Sequence, residues 1–236
     1  MVSMDRQLSA VIRALLFDAA GTLIEPAEPV AEVYARHAAA HGLDLETGRV
    51  ETAFAGIFRA TGDPEWDLFP EGDPAEQEWW RRLVEKTLCH AAGHTLDARL
   101  VERCFLDLFA CYADPAAWRV FPEVPEVLSA ARDGGFRLAV VSNFDLRLHG
   151  ILKGHGLAFD AVVTSADARS RKPDPGVFHH ALRALGIEPG EAFHAGDSLD
   201  ADLGGARASG IRAFLLERPD NSLRDFLHEA SARRGE

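Results

Sequence analysis

Four apolar runs in the chain each stop at polar residues. Ala14-Leu15-Leu16-Phe17 ends at Asp18, Leu138-Ala139-Val140-Val141 at Ser142-Asn143, Ala161-Val162-Val163 at Thr164-Ser165, and Ala192-Phe193-His194-Ala195 at Gly196-Asp197. A short continuous apolar run closed by a turn signal is the pattern of a strand buried on both faces. In an open parallel sheet the ligand crevice lies beyond the carboxyl ends of the strands, so Asp18, Ser142, Asn143 and Asp197 are expected at one mouth. Singly, each has a plainer reading as a turn former, helix cap or loop residue. Lys172 adds a positive group ahead of Pro173-Asp174-Pro175, and the chain has only two other lysines, Lys86 and Lys153.

The elements that must position these residues follow from the spacing. Helical patterns run from Val124 to Arg132, Leu146 to His155, Pro175 to Leu185 and Leu203 to Ser209, each followed by glycine, which stops a helix in the left-handed conformation without a side-chain penalty. Strand and helix in alternation predict an α/β fold with a doubly wound parallel sheet and right-handed crossovers. A fifth apolar stretch, Ile211 to Leu216, has no polar terminus of the same kind. Between Pro26 and Phe121 the rhythm changes to long helical patterns such as Pro29 to His41 and Ala75 to Ala92, with no convincing strand and with all four tryptophans, Trp66, Trp79, Trp80 and Trp118. The expected organisation is a core from residues 1–25 and 122–236 with an all-helical subdomain at 26–121, read as a lid over the strand ends or as a purely structural insertion.

Composition narrows the partners. Asp and Glu outnumber Lys and Arg 37 to 25, a formal charge of -12, which repels nucleic-acid phosphates and anionic lipids, so any phosphate site must be built locally. Neither nucleic acid nor membrane is expected as a partner. Cys89, Cys104 and Cys111 are odd in number and lack paired metal-ligand spacing, which argues against a disulfide framework, and the N-terminal stretch holds no signal-peptide core or span. A cytoplasmic protein is expected. The pairs His37/His41 and His90/His94 fit a solvated helix face better than a metal site, and Cys104 and Cys111 read as small apolar residues.

The ordered segments together resemble the four motifs of the haloacid dehalogenase superfamily: Phe17 to Leu23, Val141-Ser142-Asn143, Lys172-Pro173-Asp174-Pro175, and Gly196 to Asp202. The helical insertion is similar to the cap of the subgroup whose cap lies between motifs one and two, and the fold implied is a Rossmannoid core. The resemblance implies that Asp18 attacks phosphorus to form an aspartyl phosphate that water then hydrolyses. Ser142 and the Asn143 backbone would bind phosphoryl oxygens, with Thr22 also counted among the substrate-binding residues, and Lys172 would offset negative charge. Asp18, Asp197 and the Ala20 carbonyl would hold Mg²⁺. Asp202 would either join that metal shell through its waters or brace Lys172, and Asp200 is expected to be exposed. The substrate implied is a small phosphorylated molecule.

One position departs from the family pattern. Phosphatases of the superfamily carry a second aspartate two residues after the nucleophile, which protonates the leaving group; Ala20 stands there. General acid catalysis of this kind contributes roughly 10²- to 10⁴-fold. The remaining readings are a phosphatase weak on ordinary monoesters, a haloacid dehalogenase, whose halide leaves unprotonated, or a non-catalytic binder of phosphate and metal. Asp197 argues against the dehalogenase. Phosphonoacetaldehyde hydrolase ranks below these, because it needs a cap lysine and no lysine precedes Lys86.

Overall fold

The computed structural model describes residues 11–233. Five parallel strands form the main sheet: β1 (Ala14–Phe17), β4 (Arg137–Ser142), β5 (Ala161–Thr164), β6 (Ala192–Gly196) and β7 (Arg212–Leu215), in the order β5-β4-β1-β6-β7. β1 is central and every residue of it is buried, which is why its sequence is uniformly apolar rather than alternating. Its register pairs Phe17 with Val140 on one side and Ala195 on the other, so the residue after Phe17 emerges between the ends of β4 and β6.

Helices α5 (Val124–Asp133), α6 (Arg147–Gly154), α7 (Ser165–Ala168), α8 (Pro175–Leu185), α9 (Gly205–Ala208) and α10 (Leu223–Ala232) belong to the sheet unit. α8 lays Val177, Phe178, Ala181 and Leu185 against Leu16, Val141 and Ala192 in one core. The polar end of β5 does local work: Thr164 caps α7, accepting from the Asp167 N–H at 3.1 Å while Asp167 accepts from the Thr164 N–H at 2.9 Å.

The chain divides between Glu25 and Pro26 and again between Arg119 and Val120. The intervening unit is built from α1 (Val30–Ala40), α2 (Thr47–Ala60), α3 (Gly72–Ala92) and α4 (Ala98–Cys111), around Tyr34, Val50, Leu88, Cys104 and Leu108. Trp79 and Trp80 meet edge to face at 4.9 Å and both contact Phe58 within this unit. His41 faces Asp107 at 2.7 Å. Among the described residues no helix is long and apolar enough to cross a membrane.

Two local expectations are corrected. The segment read as free of strands contains β3 (Trp118–Val120), which pairs with β2 (Ile24–Pro26); strands of three residues are too short for periodicity to register. The helix expected over Leu203 to Ser209 begins earlier as a wide π-helical winding, Leu199–Gly204, and only then tightens into α9. The Asp202 carboxylate, drawn back toward β6, occupies the space where a side chain at Gly196 would overlap it.

Candidate active site

Asp18 leaves β1 with its N–H still in the ladder, donating to the Ala195 carbonyl at 2.9 Å, so the backbone that aims its carboxylate is part of the sheet. Asp18 Oδ1 accepts from the Ser142 hydroxyl at 2.9 Å and from Lys172 Nζ at 2.6 Å. The same Nζ donates to Asp202 Oδ1 at 2.6 Å. Lys172 is 5% exposed, and its backbone is clasped by the Asn143 amide: the Lys172 N–H donates to Oδ1 at 2.7 Å and Nδ2 donates to the Lys172 carbonyl at 2.9 Å. One side chain at the end of β4 thereby fixes the loop that delivers the ammonium group.

Asp202 has a second set of partners. Its Oδ1 faces His194 Nε2 at 2.9 Å and its Oδ2 accepts from the Ser198 N–H at 3.0 Å. Asp197 is exposed, and Asp18, Asp197 and Asp202 each offer one oxygen, all within 4.8 Å of one another. Gly21, at φ +87°, lies so close that a Cβ on it would overlap the Asp197 carboxylate. Only a residue without a side chain lets the turn after Asp18 approach that carboxylate.

Three carboxylates gather here, and two of them, Asp18 and Asp202, share one ammonium. Burial pushes the Asp18 carboxyl up to about 6, with the Asp202 charge adding to the rise and Lys172 opposing it. Asp197, although exposed, is raised by partial desolvation among its neighbours and then by the charge of Asp202. Burial also acts on Asp202 and Lys172, but their mutual attraction prevails: Asp202 falls below the ordinary carboxylate range, helped by His194, and Lys172 rises, helped by Asp18. The negative charge is therefore under-compensated. Hard carboxylate oxygens with a deficit of positive charge are the donor set that suits a divalent cation of the Mg²⁺ type. Asp202, with both oxygens already engaged, is arranged as the brace of Lys172.

The residues singled out in the sequence are mostly brought together: Asp18, Ser142, Asn143, Lys172, Asp197 and Asp202 form one connected group. Ala20 is half-buried in the turn after Asp18. Thr22 is the exception to its expected substrate contact. It is completely buried, its hydroxyl has no hydrogen-bond partner among the described residues, and its carbonyl is held by Arg218 at 2.9 Å. Asp200 is exposed, as the sequence suggested.

His194 and Arg218 were missed. His194 stood inside an apolar run, and a polar residue in a strand buried on both faces was the available signal. Arg218 lies in a loop with no motif.

A family model described as haloacid dehalogenase-like hydrolase matches residues 12–210. Among curated proteins, haloacid dehalogenase-like hydrolase domain-containing protein 3 of Homo sapiens is 39% identical over 212 residues, covering 88% of this chain and 83% of that protein. A phosphatase of the same superfamily from Thermococcus onnurineus has a similar structure, with TM-score 0.62 and 25% identity over 92% of this chain and 97% of that one. The L-2-haloacid dehalogenase of Xanthobacter autotrophicus shares the fold, with TM-score 0.64 and 21% identity over 88% of this chain and 78% of that one.

Proposed function

The chain belongs to the haloacid dehalogenase-like hydrolase family, and from that premise we propose that it is a Mg²⁺-dependent phosphatase acting through an aspartyl phosphate on Asp18. The observation that carries this reading is the single Asp18 oxygen held by both Lys172 and Ser142 beside two further carboxylates. Asp18 would attack phosphorus as the bond to the leaving oxygen breaks; water would then attack the aspartyl phosphate, releasing inorganic phosphate and restoring the carboxylate. Ser142 and the Asn143 backbone bind phosphoryl oxygens, and Lys172 offsets charge on nucleophile and substrate. Asp18, Asp197 and the Ala20 carbonyl would hold the cation, with Asp202 bracing Lys172. When bound, Mg²⁺ neutralises charge that one lysine cannot.

With alanine at position 20 the leaving group departs without a proton, so acyl and aryl phosphates are the proposed substrates and alkyl phosphates the poor ones. The proposal includes a cytoplasmic setting, in keeping with three free cysteines, and treats residues 26–121 as the cap of the enzyme.

Incubation with acetyl phosphate and Mg²⁺, followed by mass spectrometry, should find one phosphoryl group on Asp18, and chelation should abolish both labelling and turnover. Halide release from a 2-haloacid that survives chelation would replace this reading with the dehalogenase; absence of labelling and turnover would replace it with a binding protein. Ala20→Asp should raise turnover of an alkyl phosphate by roughly 10²-fold or more. Equal turnover of aryl and alkyl phosphates by the parent protein would refute the role given to Ala20.

A further inference from the structure

The turn that carries Asp18 is held from outside the four motifs. Ala19 accepts backbone bonds from Thr22, Leu23 and Ile24 at 3.2, 2.7 and 3.0 Å, and the Leu23 carbonyl accepts from the Phe121 N–H at 3.1 Å. The two carbonyls before it belong to one side chain: Arg218 donates from one terminal nitrogen to the Gly21 carbonyl at 2.8 Å and from the other to the Thr22 carbonyl at 2.9 Å. Its Nε and the second of those nitrogens also grip Glu123, at 3.0 and 2.6 Å, and its guanidinium lies 3.8 Å from the centre of the Phe121 ring. The loop presenting Arg218 is itself closed, with the Glu217 N–H donating to Asn221 Oδ1 at 2.8 Å and Asn221 Nδ2 donating to the Leu215 carbonyl at 3.0 Å. Among the described residues, Ala20 is thereby left with the one carbonyl of the turn that accepts no hydrogen bond.

We propose that Arg218, which lies beyond the span matched by the family model, is a positioning residue that sets the Ala20–Thr22 turn so that the Ala20 carbonyl and Asp197 receive the divalent cation together. A planar guanidinium can bond two successive carbonyls and a carboxylate at once, while an ammonium on a flexible stem cannot hold all three in one plane. The device acts on the backbone, touches neither substrate nor cation, and works beside the contact of Gly21 with Asp197. It rests on the cation reading of the site given above.

Calorimetric titration of Mg²⁺ into the full chain tests it. Arg218→Met should weaken Mg²⁺ binding by about 10- to 100-fold, the usual cost of removing an outer support of a metal site, and Arg218→Lys should recover only part of the loss. Mg²⁺ affinity of Arg218→Met within about twofold of the parent would overturn the proposal. Because Arg218→Met strands the buried Glu123, the paired change Glu123→Gln with Arg218→Met serves if the single variant fails to fold. Hydrogen exchange at the Thr22 and Leu23 amides gives a readout that needs no cation: severalfold acceleration in Arg218→Met, without change in the β4 amides, supports the clamp, and unchanged exchange refutes it. If the parent protein and Asp197→Asn both fail to bind Mg²⁺, the cation reading falls, and the exchange data alone decide whether Arg218 holds the turn.

Discussion

In the helical unit, Arg81 meets Glu78 and Glu85, three and four residues away on the same helix, with side chains from 26% to 46% exposed. In the sheet unit, Lys172 meets Asp18, 154 residues earlier, and Asp202, 30 residues later, with all three side chains no more than 8% exposed. The first arrangement follows from helix geometry alone, which puts residues three and four apart side by side. The second requires three separate loops to deliver charge to one buried point, where desolvation is costly and like charges outnumber the counter-charge. Nothing about folding calls for the second arrangement. Its chemistry accounts for it, and the difference separates charge placed by a helix from charge placed by a site.

The largest expected effect comes from removing the shared ammonium. Lys172→Met leaves Asp18 and Asp202 buried with no cation between them, and removing one partner of a buried pair typically costs about 3–5 kcal/mol. Urea denaturation near neutral pH, with chelator present, should show a loss of that order, and Mg²⁺ should recover part of it. A loss below about 1 kcal/mol would put Lys172 in the same class as a surface ion pair and remove the contrast.

Asp18→Asn sharpens the contrast in the opposite direction. The folded carboxyl titrates near 6 against an ordinary value of 3.8, so the native protein binds the proton more tightly than the unfolded chain. The stability contributed by this group is fully present below the ordinary value and is lost as pH rises through about 6. Asp202, shifted the other way, keeps its contribution throughout that window. Asn has no such dependence. Without divalent cation, Asp18→Asn should therefore be more stable than the parent near neutral pH by on the order of 2 kcal/mol, with the advantage shrinking as pH falls toward 4, while phosphorylation at this position disappears. A pH-independent difference in denaturation free energy would sink the account of a strained charge.

The same contrast explains what the sequence made legible. Strand ends and helix starts are local, so the apolar run ending at Asp18, the glycine after α8 and the Pro175–Leu185 helix could be read directly from spacing. The central place of β1 belongs to the assembled sheet, in the order β5-β4-β1-β6-β7, and not to the spacing of the run itself. Contacts that neither spacing nor the family motifs name were not legible. The Asn143 clasp on Lys172 crosses 29 residues, and the Arg218 grip on Gly21 crosses 197 residues and begins at a loop with no periodic pattern. Thr22 shows the limit from the other side: the family resemblance counts it among the substrate-binding residues, but a turn that packs against Arg218 buries its side chain.

Gly21→Ala should have a smaller effect on stability, with its main consequence at the site. A side chain at φ +87° costs about 1–2 kcal/mol in backbone conformation, and its Cβ displaces the Asp197 carboxylate. Denaturation should show a loss of that order, and Mg²⁺ titration a weakening comparable to that of Asp197→Asn. Unaltered Mg²⁺ binding would mean that the approach of this turn to Asp197 is not what brings the cation ligands together.

Arg81→Ala should have the smallest effect. Arg81 bonds Glu78 through Nε at 2.7 Å and Glu85 through a terminal nitrogen at 3.3 Å, a well-formed network by geometry. All three side chains nevertheless keep water, so the ions gain little from pairing that hydration does not already supply. The expected loss is roughly 0.2–1 kcal/mol at low ionic strength, shrinking as salt screens the pair. The cost of Lys172→Met should persist in salt, because its partners are buried. Parallel urea denaturations of the two variants at low and high ionic strength make the comparison direct. An Arg81→Ala loss that equalled that of Lys172→Met, or a Lys172→Met loss that faded with salt as quickly, would show that the two networks do not differ in the way their exposure implies.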